Sequence, residues 1–213
     1  MSYRLLQGGD LYEALANQSE IYTEEFAANI IKQILSALSY MHTKKICHRD
    51  VKPENILFEN NNLKTIKLID FGVSSRFESN LFMSDQTGTA YYMSPDVIQK
   101  RYNEKCDIWS TGVILFLMLS GKPPYTGFNE DEILQNILTQ TLNLSGKNYQ
   151  EESWKGKSPE VKDLLINMLN PDSIKRFSAK DCLDHPWFNK IKNGIQNQEN
   201  NSIALKAIKN FKV

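Results

Sequence analysis

The sequence is poor in cysteine, with three residues, Cys47, Cys106 and Cys182, among 213. A sparse, odd set without CxxC spacing offers neither a disulfide framework nor a zinc site and reads as free thiols in a reducing compartment. No excess of either charge is present, since Lys+Arg and Asp+Glu stand at 25 each. Nucleic acids and anionic membranes both select basic surfaces, so neither is expected as a partner. Long apolar runs are missing too. The most apolar stretch, Val113 to Leu119, has seven residues, too few to span a bilayer, and reads as part of a buried helix. Arg4, Asp10 and Glu13 interrupt the N-terminal segment, so no signal peptide is expected. Nor is there an internal repeat.

What remains is an ordinary globular composition, 41% apolar and 23% charged, in a chain long enough for one domain with a real core. A short helix is predicted from Asp10 to Ala16. A second is capped by Thr23 and runs to about His42, with Phe26, Ile30, Ile31, Ile34, Leu35, Leu38 and Met41 on one stripe. Ile46 to Phe58 reads as a polar loop ending in a strand, and Thr65 to Ile69 alternates as a second strand. Asp70 to Gln99 is long and irregular, which inside a compact domain points to function. Helices are predicted over Asp107–Ser120, Glu130–Thr139, from Ser158 to Leu169, and over Ser178–Leu183. Residues 189–202 are polar and Asn-rich and read as a linker; Ser202 to Phe211 reads as a weak amphipathic helix.

The chemistry lies in His48-Arg49-Asp50-Val51-Lys52-Pro53-Glu54-Asn55 and, one strand later, in Asp70-Phe71-Gly72. Two acids, a lysine and an amide meeting between two strands suit phosphoryl transfer, which needs positioning and charge compensation more than covalent chemistry. Asp50 would orient a hydroxyl and accept its proton. Lys52 would place a positive charge near the phosphoryl oxygens. Asn55 and Asp70 supply the hard oxygens that Mg²⁺ takes. Surface polarity alone is the bland reading, and the length of the motif leaves it little room.

These segments resemble the catalytic loop and metal-binding triplet of eukaryotic protein kinases, and Lys52 matches the serine/threonine class. Further stretches are similar to the calcium/calmodulin-regulated group and, within it, to calcium-dependent protein kinases: Gly8-Gly9-Asp10-Leu11, Thr87-Gly88-Thr89-Ala90-Tyr91-Tyr92, Leu119 to Tyr125, and His185-Pro186-Trp187-Phe188. The resemblance implies a mainly α fold with a few short β-strands, the kinase C-terminal lobe, over residues 1–188, with a hinge at about 1–9. Residues 189–213 would hold a linker and the start of an autoinhibitory junction helix, or merely a frayed terminal helix. The cofactors implied are ATP and Mg²⁺. Arg4 and Leu6 would be hinge residues bonding adenine through their backbone, and Leu57 and Ile69 the floor beneath it. Asp10 has three readings: a ribose contact, an acidic contact for a basic substrate residue, or simply a solvated or helix-start carboxylate. Glu54 likewise matches an acidic substrate contact, which implies protein substrates with basic residues upstream of the target Ser or Thr.

Thr89 would bond Asp50 and Lys52. His48 and Phe71 would belong to a hydrophobic spine. Asp96, where the family carries glutamate, would pair with Arg176, and Asp107 would anchor the catalytic-loop backbone. Arg49 would meet Asp85 or a phosphate on Ser84 or Thr87. A Gly-rich phosphate loop, its partner lysine and a D-x-[DN]-x-[DN]-G calcium loop do not occur in the 213 residues. The N-terminal β-rich lobe is therefore expected to be missing, and the chain to be a monomeric, cytoplasmic fragment with little activity alone. A full-length parent would add that lobe and an EF-hand domain. A non-catalytic scaffold is the alternative.

Overall fold

The computed structural model of the chain describes residues 8–17, 23–78, 81–142, 144 and 154–192. Helix α1 covers Leu11–Asn17 and α2 covers Glu24–Thr43. Thr23 caps α2, its hydroxyl accepting the Phe26 N–H at 3.1 Å, and Glu24 and Glu25 complement the positive end of the helix dipole. The expected stripe is buried from Ile30 to Met41. Two antiparallel ribbons follow. Strand β1 (Ile46–Cys47) pairs with β4 (Ser75–Arg76), and β2 (Ile56–Phe58) pairs with β3 (Ile66–Leu68), Leu57 opposite Lys67. Ribbons this short have no independent stability and depend on the helices beneath them.

Helix α3 is one turn, Pro95–Ile98, and α4 runs Cys106–Ser120. In α4 every residue except Ser110 is buried, as a helix that is apolar all round must be. It ends where Gly121 turns left-handed (φ 77°), its N–H bonding the Leu117 carbonyl at 2.8 Å. Helix α5 (Glu130–Thr139) is capped by Asn129, α6 (Pro159–Met168) by Ser158, and α7 (Ala179–Leu183) by a reciprocal Ser178–Asp181 capping box. Helix α8 is Pro186–Lys192. Residues 189–192, read from sequence as linker, therefore belong to a helix, because Trp187 and Phe188 dock on the core and the chain continues in register. Residues 193–213, including the expected junction helix, lie outside the described residues.

Helix α2 packs on α4, α7 and α8, and α4 packs on α6. One carboxylate ties the base together. Glu24 at the head of α2 accepts the Ser158 N–H and hydroxyl, each at 2.7 Å, and the Trp187 indole N–H at 2.9 Å. The fold is thus mainly α with a few short strands, as expected. Among the described residues no helix is long and apolar enough to cross a membrane.

The Asp96–Arg176 pair forms at 2.6 Å, with Arg176 wholly buried. The guanidinium also donates to the carbonyls of Asn170 (2.9 Å) and Lys105 (3.1 Å) and sits 5.2 Å from the Trp109 ring centre. Aspartate reaches the arginine with one oxygen only; its other oxygen is buried without a partner among the described residues. Removing Arg176 leaves that charge uncompensated. Arg176→Ala is expected to cost about 3–5 kcal/mol in urea unfolding; a loss below about 1 kcal/mol, the level of a surface pair, would contradict this packing.

Candidate active site

The catalytic-loop candidate runs from the end of β1 to the start of β2. Its backbone is held from below by Asp107, on the first turn of α4 and 1% exposed. Oδ2 of Asp107 accepts the His48 N–H at 2.9 Å and Oδ1 accepts the Arg49 N–H at 2.8 Å. His42, from the last turn of α2, meets Oδ2 at 2.9 Å. These bonds hold Arg49 in a left-handed conformation (φ 71°) that a long side chain rarely adopts. The turn projects Asp50 from the loop.

Above it four expected residues converge. Lys52 Nζ lies 3.0 Å from Asp50 Oδ2 and donates to Thr89 Oγ1 at 3.1 Å. The Thr89 hydroxyl reaches Asp50 Oδ1 at 3.4 Å. Asn55 Nδ2 donates to the Asp50 backbone carbonyl at 2.8 Å and to Oδ2 at 3.0 Å. Thr89 is brought in by the turn at Gly88 (φ 110°), where an added Cβ would lie 3.0 Å from the Arg49 carbonyl oxygen. Only glycine gives both the conformation and the clearance.

Asp70 follows β3. The Ile69 N–H bonds the Asn55 carbonyl at 2.9 Å, and the Ile69 carbonyl meets His48 Nε2 at 3.0 Å, so the two loops share one edge. Asp70 is exposed and left-handed (φ 60°), with Oδ1 accepting the Gly72 N–H at 3.0 Å. His48 and Phe71 meet with ring centres 5.2 Å apart, while Phe71 stays 54% exposed. Leu57 and Ile69 are half-buried beside them. Asp10 bridges to Leu57 but caps α1, its Oδ1 accepting the Glu13 N–H at 2.7 Å. Of its three readings, the helix-start one is observed. Arg4 and Leu6 lie outside the described residues. Arg49 does meet Asp85, at 3.3 Å, and also donates to the Val73 carbonyl (2.6 Å) and the Tyr102 hydroxyl (3.1 Å).

Sequence reasoning missed His42, Tyr102, and the contact of Cys47 with Cys106. His42 carries a faint signal, a lone histidine in the last turn of an amphipathic helix; the others carry none, because their partners are 53 and 59 positions away.

Residues 1–188 match the protein kinase domain family. The chain belongs to that family. As a kinase domain it is similar to calcium-dependent protein kinase 4 of Plasmodium berghei, 47% identical over 183 residues, which cover 84% of this chain and 33% of the relative. Calcium-dependent protein kinase 4 of Plasmodium falciparum matches to the same extent. Calcium-dependent protein kinase 3 of Plasmodium yoelii yoelii is 39% identical over 210 residues, 98% of this chain and 38% of the relative. The kinase-domain chain thus spans about a third of the length of the relatives it matches. By family it is a serine/threonine protein kinase domain, and that family generally uses ATP and Mg²⁺.

Burial pushes the Asp107 carboxyl up, but the hydrogen bond and charge of His42 and the Arg49 and His48 N–H groups outweigh it and hold it below the ordinary carboxylate value. A depressed carboxyl contributes its stability in full above about 3.9, the unfolded value. That contribution is lost as pH falls through the lower folded value. Asp107→Asn, which cannot accept all these bonds, is expected to cost roughly 3 kcal/mol at neutral pH. The gap between parent and variant should close as pH falls below about 4. A gap unchanged by acid in urea titrations would contradict the anchoring role.

Proposed function

We propose that this kinase domain transfers the ATP γ-phosphate to serine or threonine hydroxyls of protein substrates, with Asp50 as the base. The supporting observation is the convergence of Asp50, Lys52, Asn55 and Thr89 within hydrogen-bond distance on a backbone anchored by Asp107. An aspartate flanked by a lysine and a threonine hydroxyl keeps one side open to accept a proton from an incoming alcohol while its orientation is fixed. Lys52, three ångströms from it, offsets negative charge as the alcohol approaches the phosphoryl group.

Magnesium-bound ATP would supply the electrophilic phosphoryl group and the cation that offsets its charge. The residues fit that cation. Asn55 commits its amide nitrogen to Asp50, which leaves its oxygen as the donor, and Asp70 is exposed with one oxygen free of hydrogen bonds among the described residues. Both are hard oxygen ligands. Leu57 and Ile69 would form the apolar floor under adenine.

On the substrate side, a groove of about 420 Å³ opens beside Thr89, lined by Gly88, Tyr91, Phe128 and Glu130 among others. Glu54 is half-buried in the catalytic loop, with its Oε2 buried and without a donor among the described residues. The match of Glu54 to the family's acidic substrate contact supports the reading of a kinase that prefers Arg or Lys upstream of the target hydroxyl. The names of the relatives and their greater length support a parent protein that responds to calcium through segments beyond these 213 residues.

The 213-residue polypeptide alone holds no Gly-rich phosphate loop and no lysine equivalent to that of the other lobe. Its turnover in a γ-phosphate transfer assay is expected below about 1 s⁻¹, the lower bound of ordinary kinases; a rate at or above that would overturn the expectation. In the full-length parent, Asp50→Asn is expected to lower kcat by about 10²–10⁴ with KM for ATP little changed. An unchanged kcat would remove Asp50 as the base. On a peptide array the parent should select Arg or Lys upstream of the phosphorylated residue, and Glu54→Gln should weaken that selection; a flat array would remove the basophilic reading.

A further inference from the structure

Cys47 and Cys106 are 59 positions apart in sequence and in contact in the fold. Cys47 ends β1, directly before His48, and Cys106 opens α4, directly before Asp107. Their Sγ atoms are 3.5 Å apart. Cys47 Sγ lies 3.4 Å from Asp107 Oδ2, and Cys106 Sγ lies 3.9 Å from Asp107 Oδ1. All three side chains are buried, and the kinase chemistry uses neither thiol. Two thiols and a carboxylate in one small space form a ligand set, and among the described residues this is the cluster whose donor atoms lie close enough to share an ion.

We propose that Cys47, Cys106 and Asp107 form a binding site for a thiophilic divalent cation of the zinc class, separate from the magnesium ligands. Three arguments carry this. At a Zn–S bond of about 2.3 Å and a Zn–O bond of about 2.0–2.2 Å, donors around a tetrahedral ion stand roughly 3.5–3.8 Å apart. The two Sγ atoms stand 3.5 Å apart and Cys47 Sγ stands 3.4 Å from Asp107 Oδ2, close to that range; Cys106 Sγ makes its 3.9 Å contact with the other oxygen, Oδ1, and the three donors lie within 4.8 Å of one another. The donor chemistry is selective: thiolates choose Zn²⁺ or Cd²⁺ over Mg²⁺, whereas Asn55 and Asp70 offer oxygen alone. The charge also balances, because the cation takes the place of two thiol protons: two Cys–SH plus M²⁺ give one M²⁺ held by two thiolates plus two H⁺.

The surroundings complete the site. His42 Nε2, 2.9 Å from Asp107 Oδ2, holds the carboxylate from outside the set of three. Cys106 also lines the small cavity under the catalytic loop, together with Arg49, Asp50, Thr89, Met93 and Ser110. The charged groups around the thiols are Asp107, Asp96, Arg176, Arg49 and His42, with the Tyr102 phenol beside them. Burial holds the Cys47 thiol well up. The bond from Cys47 pulls Cys106 down, but burial and the Asp107 and Asp96 carboxylates outweigh it. Because binding releases the two thiol protons, it strengthens as pH rises. Because the same carboxylate holds the His48 and Arg49 N–H groups, an ion here draws on the anchor of the catalytic loop.

The test is titration of the reduced 213-residue chain with Cd²⁺, reading sulfur-to-cadmium charge transfer in the ultraviolet. One ion per chain is expected, with affinity rising up to about a hundredfold per pH unit as two protons leave. Cys106→Ser and Cys47→Ser should each lower the affinity at least about tenfold, as loss of a ligand does, while Cys182→Ser changes nothing. No charge-transfer band, or a band that survives both substitutions, would overturn the site. Should either serine variant fail to fold, X-ray absorption on the cadmium-loaded unsubstituted 213-residue chain decides: two sulfurs per ion support the site, and fewer overturn it.

Discussion

The structure turns on a carboxylate that never needs to see a substrate. Asp107 enters the apolar centre on the first turn of α4 and meets the backbone N–H groups of His48 and Arg49 there. A charge so placed would be costly to bury unless several donors compensated it. Its donors are the start of the catalytic loop, so the desolvation of one side chain fixes the path of another segment. Helix α4 supplies the rigidity. It is buried almost throughout and packs on α2 and α6, so Asp107 has no freedom to follow the loop; the loop must follow Asp107.

From that anchor the rest of the site is geometry. Arg49 is held left-handed, Asp50 points up from it, and Lys52, Asn55 and Thr89 close around its two oxygens. The second loop is stitched on through Ile69, which bonds Asn55 on one side and His48 on the other. Arg49 reaches past the site to Asp85, Val73 and Tyr102, which ties the segment after Asp70 to the same anchor. Arg49 and Asp70 are both left-handed where the chemistry is proposed, a conformation that Lys45, Leu63 and Lys100 adopt in turns elsewhere.

Much of this was legible in the sequence, for identifiable reasons. Helix α5 was bounded correctly because Asn129 caps it and its apolar residues keep the helical period. Asp50, Lys52, Asn55 and Thr89 were readable because they sit in contiguous motifs, and Asp96–Arg176 and Asp107 because they match a family pattern. Three kinds of feature were not. Two-residue strands such as β1 and β4 are too short to show a period of two, and exist only because the chain returns beside itself. The helical residues 189–192 look polar because α8 is stabilised by its first turn, through Trp187 and Phe188. The Cys47–Cys106 contact has no local signature, since its two halves are brought together by the anchor itself.

The central claim is that the catalytic loop is held by buried hydrogen bonds to Asp107 before any ligand arrives. Residue-resolved amide hydrogen exchange by NMR on the unliganded chain reads those bonds directly. The His48 and Arg49 N–H groups should be protected to the level of the α4 core amides, opening only with global unfolding. Exchange of either at the rate of an exposed loop amide would contradict the account.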